Sequence, residues 1–193
     1  EEQMTEIAAV LAFSAIHNND KVGVIFFSDI VEKFIPPKKG TSHILRIIRE
    51  LIDFKPESQK TKIAEGLRFM TNAIKKRCTA FLLSDFMDKG FDDALKIANN
   101  KHDVVALRVF DRREMTMPNI GLVQVYDKET NSRKWVDTSS SSTRNQYASW
   151  WKNHEKYLSS LFLRSGVDFA SVNTEEDYVK PLMNLFKKRE SRF

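Results

Sequence analysis

At 193 residues, with hydrophobic residues at 41% and charged residues at 30%, the chain has ordinary globular composition. That argues against disorder and suits one domain over residues 1–193. It carries 31 Lys+Arg against 26 Asp+Glu, a net +5, a basic excess that permits a nucleic-acid or acidic partner without requiring either. A single cysteine, Cys78, excludes an internal disulfide and a cysteine-rich zinc site, and no run approaches the roughly 18 apolar residues of a membrane span. With no initiator Met and no signal-peptide pattern, the chain reads as intracellular (cytoplasmic) and as a fragment of something longer.

In chain order, Glu2 to His17 reads as an Ala-rich helix ended by Asn18-Asn19-Asp20. Val22 to Phe27 is a short, nearly continuous apolar run, predicting a strand buried on both faces. Ile30 to Ile35 reads as an antiparallel edge strand stopped by Pro36-Pro37. A helix capped by Thr41 or Ser42 runs to about Ile52, and residues 53–60 form a polar linker. Thr61 opens a helix over Lys62 to Lys76, and Thr79 to Leu83 is a second buried strand. A helix over Phe91 to Asn99 leads to a third buried strand, Val104 to Phe110. Leu122 to Tyr126 and Lys134 to Val136 predict a polar hairpin around Glu129-Thr130-Asn131. A helix from Thr143 to Leu163, a strand from Val167 to Val172 and a helix from Asp177 to Lys188 complete the chain. Helices alternating with doubly buried strands predict an α/β fold, a parallel sheet with helices on both faces.

Such sheets bind ligands at the carboxyl ends of their strands. The polar residues there are Ser84 and Asp85, Asp111 with Glu114 close behind, and Thr174 with Glu175. Thr61, at a helix start, points to the same edge. An oxygen-only set of Thr, Asp and Ser suits a hard cation such as Mg²⁺ or Mn²⁺. The plainer reading, in which Asp85 and Thr61 only cap helices, stays open. No Gly-rich phosphate loop is present. Cys78 has no His nearby in sequence and reads as a structural thiol. Of Trp150 and Trp151, about 100° apart on a helix, one should be core and the other partly exposed. The basic runs Lys75-Lys76-Arg77 and Lys187-Lys188-Arg189 complement helix C-termini.

The order helix, strand, edge strand, helix, then Thr61-Lys62-Ile63-Ala64-Glu65-Gly66-Leu67 and a strand ending Leu82-Leu83-Ser84-Asp85 resembles a von Willebrand factor type A domain. Further stretches narrow this: Leu11-Ala12-Phe13-Ser14-Ala15-Ile16, Asn19-Asp20-Lys21-Val22-Gly23, Pro36-Pro37-Lys38-Lys39-Gly40, Ser84-Asp85-Phe86, His102-Asp103-Val104, Asp111-Arg112-Arg113-Glu114 and Asp127-Lys128-Glu129-Thr130. Together they resemble the bacterial domain-of-unknown-function family 58, often encoded beside MoxR-type AAA+ ATPases. The family usually has Asp-Pro-Arg-Glu where Asp111-Arg112-Arg113-Glu114 stands, and often Gly where Asn131 stands.

The resemblance implies a three-layer α/β/α sandwich of von Willebrand A (Rossmann-like) type with a small added hairpin. It also implies a metal-ion-dependent adhesion site in which Thr61 and Asp85 are two of the ligands. The family's first strand and its D-x-S-x-S loop, which hold most of the metal ligands, precede the first helix and are missing here. The literal D-x-S-x-S at Asp137, Ser139 and Ser141 follows too weak a strand and reads as a cap for the long helix. Without the first strand, Val22–Phe27 and Thr79–Leu83 are expected either to close on each other or to accept another chain, by self-association through unpaired edges.

The implied function is a non-enzymatic protein-interaction module that binds an acidic partner residue through Mg²⁺ in the intact protein, with a MoxR-type ATPase or its client as partner. This chain alone should bind the ion weakly or not at all. The alternatives are a nucleic-acid-binding basic face and, third, a metal-dependent hydrolase using Asp85, Asp111 and Glu114.

Overall fold

The computed structural model describes residues 2–127 and 132–191; the expected turn residues Glu129-Thr130-Asn131 lie outside them. Helix α1 spans Glu2–His17 and strand β1 Val22–Phe27, as the sequence predicts. Strand β2, Val31–Lys38, pairs antiparallel with β1 and does not stop at the prolines. It bonds only one neighbour, so Pro36 and Pro37 sit in an edge strand, where a missing N–H is tolerated. Their passage needs Gly23: a Cβ there would stand 2.8 Å from both the Ile35 carbonyl and the Pro37 nitrogen.

Helix α2, Thr41–Asp53, begins after Gly40 at φ 104°, so Thr41 is its first residue rather than a side-chain cap. Helix α3, Ile63–Ala73, ends three residues earlier than its apolar spacing suggests: Ile74 turns extended, and Lys75-Lys76-Arg77 lie beyond the helix. Strand β3 (Thr79–Ser84), helix α4 (Asp92–Lys101) and strand β4 (Asp103–Phe110) follow. A single 3-10 turn, Arg112–Met115, was not signalled by periodicity. Strands β5 (Leu122–Asp127) and β6 (Ser132–Asp137) form the hairpin. Helix α5 (Ser141–Arg164), strand β7 (Asp168–Asn173) and helix α6 (Val179–Glu190) complete the fold.

Strands β3, β4 and β7 form a parallel sheet with β4 in the centre, so β4 is buried over nearly its whole length. Leu82, Val104 and Ala106 pack against α3, α4 and α5, with Phe86 and Phe162 in the same core. Val105, Leu107, Val109 and Val172 face α1 and α6 through Ile7, Leu182 and Leu185. The result is an α/β sandwich: helices, parallel sheet, helices. Arg189, in the last turn of α6, does more than complement a helix terminus. It holds Asp168 at 2.8 Å and also bonds Asp103, tying α6 to the amino ends of β4 and β7.

β1 and β3 do not pair, so the expected closure of these strands on each other does not occur. Helix α3 bridges them on one face instead. Ile25 and Phe27 of β1 join the core around α3, to which Leu82 of β3 also belongs, while Phe26 packs with Ile47 of α2 on the other face. Gly66 lets the Phe27 ring lie against α3, where a Cβ would come within 2.8 Å of it. Closure would draw β1 sideways off both helices. It would exchange burial worth about 1.5–3 kcal/mol per large apolar side chain for ladder bonds worth about 1 kcal/mol each. Being paired on one edge only, β1 is half-buried rather than fully buried.

Candidate functional site

The carboxyl ends of β3, β4 and β7 meet at one edge. β3 runs out through Ser84 into Asp85, and the turn is tight. Asp85 Oδ1 accepts from the Met87 N–H at 3.1 Å, and Ser84 Oγ accepts from the Phe86 N–H at 3.0 Å. Phe86 takes φ 58°, in the left-handed region that a bulky residue avoids. It is held there by full burial, with Phe162 packed edge-on at 5.2 Å. A strained backbone next to an exposed carboxylate is a recurring mark of binding edges.

Asp88, three residues on, reaches back: its Oδ2 accepts from the Ile63 N–H at 2.8 Å. It is therefore Asp88, and not Thr61, that satisfies the first turn of α3. Thr61 stands two residues before the helix, and the Lys62 N–H beside it donates to the Ser28 carbonyl. The Asp85 loop and the Thr61 segment are thus tied together through Asp88. Among the described contacts no bond joins Thr61 to Asp85 directly.

After β4, Asp111 caps the 3-10 turn by accepting from the Arg113 N–H at 2.8 Å. The Arg113 side chain and that N–H hold the Asp111 carboxyl below the usual carboxylate range. Glu114 shifts the other way: burial, then the charges of Asp111 and Asp85, push its carboxyl up. Its carbonyl accepts from Tyr147 of α5 at 2.5 Å. At β7, Asn173 Oδ1 accepts from the Arg112 and Glu175 N–H groups, and Thr174 N–H donates to the Phe110 carbonyl. Asp85, Asp111 and Glu114 therefore share one electrostatic neighbourhood at the sheet edge.

Asp85 and Thr61 offer a carboxylate and a hydroxyl, the donor chemistry of a hard cation, but two donors fall short of the six or more such an ion takes. Among the described residues no three His, Cys, Asp or Glu side chains gather as a metal site. Asp137 accepts from the Ser139 N–H and hydroxyl, and Ser140 caps α5. That D-x-S-x-S is turn chemistry.

Trp151 is core and Trp150 is 41% exposed, as helical spacing predicts. The lone-cysteine reading missed a partner, because His102 Nδ1 lies 3.4 Å from Cys78 Sγ, the two residues leading directly into β4 and β3. Burial pushes the Cys78 thiol up, with Asp103 adding to it, and burial lowers His102, with Lys101 and Arg77 assisting. Both shifts disfavour the charged forms, the reverse of what a thiolate–imidazolium pair requires.

His154 is lowered as well, by burial first and Arg108 second. A folded-state pKa below the unfolded value, about 6.5 for histidine, means full stability above that pH and loss as pH falls through it. The midpoint of thermal unfolding is therefore expected to drop between about pH 7.5 and about pH 5.5. His102→Gln, with no proton to gain, should show a shallower drop in the same thermal scans.

An α/β sandwich with a carboxylate-bearing edge is the class defined so far. Residues 1–157 match the family described as "Protein of unknown function DUF58", and the chain belongs to it. An uncharacterized protein of Mycobacterium tuberculosis, Rv1480, is 19% identical over 185 residues, covering 94% of this chain and 58% of that protein. The chain thus spans little more than half the length of that relative. An uncharacterized protein of Mycobacterium avium is 22% identical over 158 residues, 80% of this chain and 93% of that one.

Two solved structures share the fold. Conserved hypothetical protein BatB from Bacteroides thetaiotaomicron has TM-score 0.52 and 17% identity, over 97% of this chain and 88% of that one. An aerotolerance-related membrane protein from Bacteroides fragilis, carrying mutations to serine, has TM-score 0.55 and 16% identity, over 95% and 88%. In this chain, among the described residues, no helix is long and apolar enough to cross a membrane.

Proposed function

We propose that this domain is a non-enzymatic protein-interaction module whose binding edge is the carboxyl end of β3 and β4. The observation that carries the reading is the Ser84–Asp88 turn: an exposed Asp85 beside a strained, buried Phe86, joined through Asp88 to the start of α3. Membership of a family of unknown function leaves room for it, and the resemblance to von Willebrand A domains gives it a chemistry. In the intact protein a Mg²⁺ or Mn²⁺ ion, held in part by Thr61 and Asp85, would accept an acidic residue of a partner. A MoxR-type AAA+ ATPase or its client is the partner the resemblance favours. When bound, the ion supplies a positive centre for that carboxylate; the chain's own part is to aim Asp85 outward and anchor its loop on α3.

Calorimetric titration of this chain with Mg²⁺ and Mn²⁺ is expected to give binding no tighter than millimolar, since two ligands do not complete a hard-cation shell. Micromolar affinity that survives Asp85→Ala would refute the assignment. A second copy of the chain is the occupant proposed for the unpaired edges of β1 and β3. Sedimentation at rising concentration should show reversible association. A strictly monomeric profile up to millimolar chain would remove that partner. The nucleic-acid reading is weaker, because Arg189 of the second basic run is half-buried and engaged with two aspartates.

A further inference from the structure

Arg108 interrupts the apolar run of β4, side chain toward α5, and is only 4% exposed. Its Nη1 donates to Glu155 Oε1 at a long 3.4 Å, and that glutamate is itself 41% exposed. Nε and Nη2 of Arg108, Nε1 of Trp151 and Nε2 of His154 are all buried without a hydrogen-bond partner. These groups form one cluster. The guanidinium carbon lies 5.6 Å from the Trp151 ring centre, the Trp151 and His154 rings are 6.3 Å apart, and the Arg108 charge acts on His154.

Buried polar groups in native proteins are partnered, and a buried charge most of all. Arginine and tryptophan offer N–H donors and no acceptor, so the missing partner must accept. A water accepts two bonds but must also place two hydrogens, on His154 Nε2 in one tautomer or on the Glu155 carboxylate, and it brings no charge to the guanidinium. A carboxylate accepts only, has about four lone-pair positions, and brings the charge that a guanidinium fork matches with two oxygens.

We propose that Arg108, Trp151 and His154 form a buried receptor for a carboxylate group. The carboxylate comes from a small free acid or from an acidic side chain of a partner protein; the second source rests on reading the neighbouring edge as protein-binding. Trp150, 41% exposed, stacks on the His154 ring at 5.5 Å and 3°. A surface indole in contact with the cluster makes its fluorescence a reporter.

The test titrates the chain with acetate, succinate and an Asp/Glu-containing peptide, using chloride at matched ionic strength as control. Tryptophan fluorescence and the thermal midpoint are read together. A saturable fluorescence change and a raised midpoint are expected with a carboxylate and not with chloride. Response to acetate or succinate identifies a free acid; response to the peptide alone identifies a partner side chain. Arg108→Met should abolish the response. Trp151→Phe, which keeps the ring and removes the N–H, should weaken it about fivefold, the worth of one net hydrogen bond. If Arg108→Met fails to fold by circular dichroism, Trp151→Phe decides. A wild-type chain insensitive to every carboxylate, as when resident water satisfies the donors, overturns the proposal. So does a response unchanged in Trp151→Phe. A failed Mg²⁺ titration beside a positive carboxylate titration counts against the metal role alone.

Discussion

Replacing Phe162 by alanine is expected to lower the unfolding free energy by about 3–5 kcal/mol, the usual cost of deleting a buried aromatic ring. Phe162 is 1% exposed, lies edge-on to Phe86 at 5.2 Å and packs on Phe169 of β7 at 5.1 Å. Its removal empties the centre of the core shared by α3, α4 and α5. It also withdraws the support that holds Phe86 at positive φ, so the Asp85 turn should loosen with the core. Urea unfolding measures the loss, and proteolysis at the loop after β3 reports the loosening. A loss under about 1 kcal/mol would mean that neighbouring side chains collapse into the space.

Arg189→Met is expected to cost about 2–4 kcal/mol, between the values for exposed and fully buried pairs. Asp168 and Arg189 are 13% and 15% exposed, and Asp103 is 35% exposed. Removing the cation leaves two carboxylates facing each other at the amino ends of β4 and β7. Arg189→Lys should recover only part of the loss, because an ammonium cannot bond both partners as a planar fork does. Denaturant midpoints of the three proteins, compared at low and high salt, check both claims.

The layered architecture was legible because its signals are local. Val104–Phe110 is an apolar run broken by Arg108 alone, and the burial of β4 follows from it. The edge character of β2 followed from its prolines, although their tolerance in the strand depends on Gly23, which no propensity reveals. Helix ends were less legible. The ending of α3 at Ala73 is set by the chain turning extended toward β3, and not by any breaker residue.

Of the site, Asp85, Asp111 and Glu114 were visible as polar residues following strands. Asp88 was not, since its partner Ile63 lies 25 residues away in sequence and neither residue carries a spacing signal. The Cys78–His102 contact was hidden for the same reason, being made between the residues that lead into two paired parallel strands. Arg108 did carry a signal: a lone cation inside an apolar strand is costly unless something answers it. Closure of β1 on β3 was the wrong expectation, because hydrogen-bonding edges were weighed and the seats of Ile25, Phe26 and Phe27 on the helices were not.

That divided sheet has a consequence for cooperativity. No backbone ladder crosses from β1 to β3, so β1, β2 and α2 are joined to the rest of the fold chiefly by side-chain packing, through α1 and α3, with the Lys62 N–H to Ser28 carbonyl bond at the start of α3. Packing resists small displacements strongly and separation weakly, whereas a ladder must break bond by bond. The molecule therefore has a built-in parting line. Amides of β4 can open only with the whole structure, while those of β1 and β2 can exchange with solvent by detachment of their own unit, the two halves keeping different clocks.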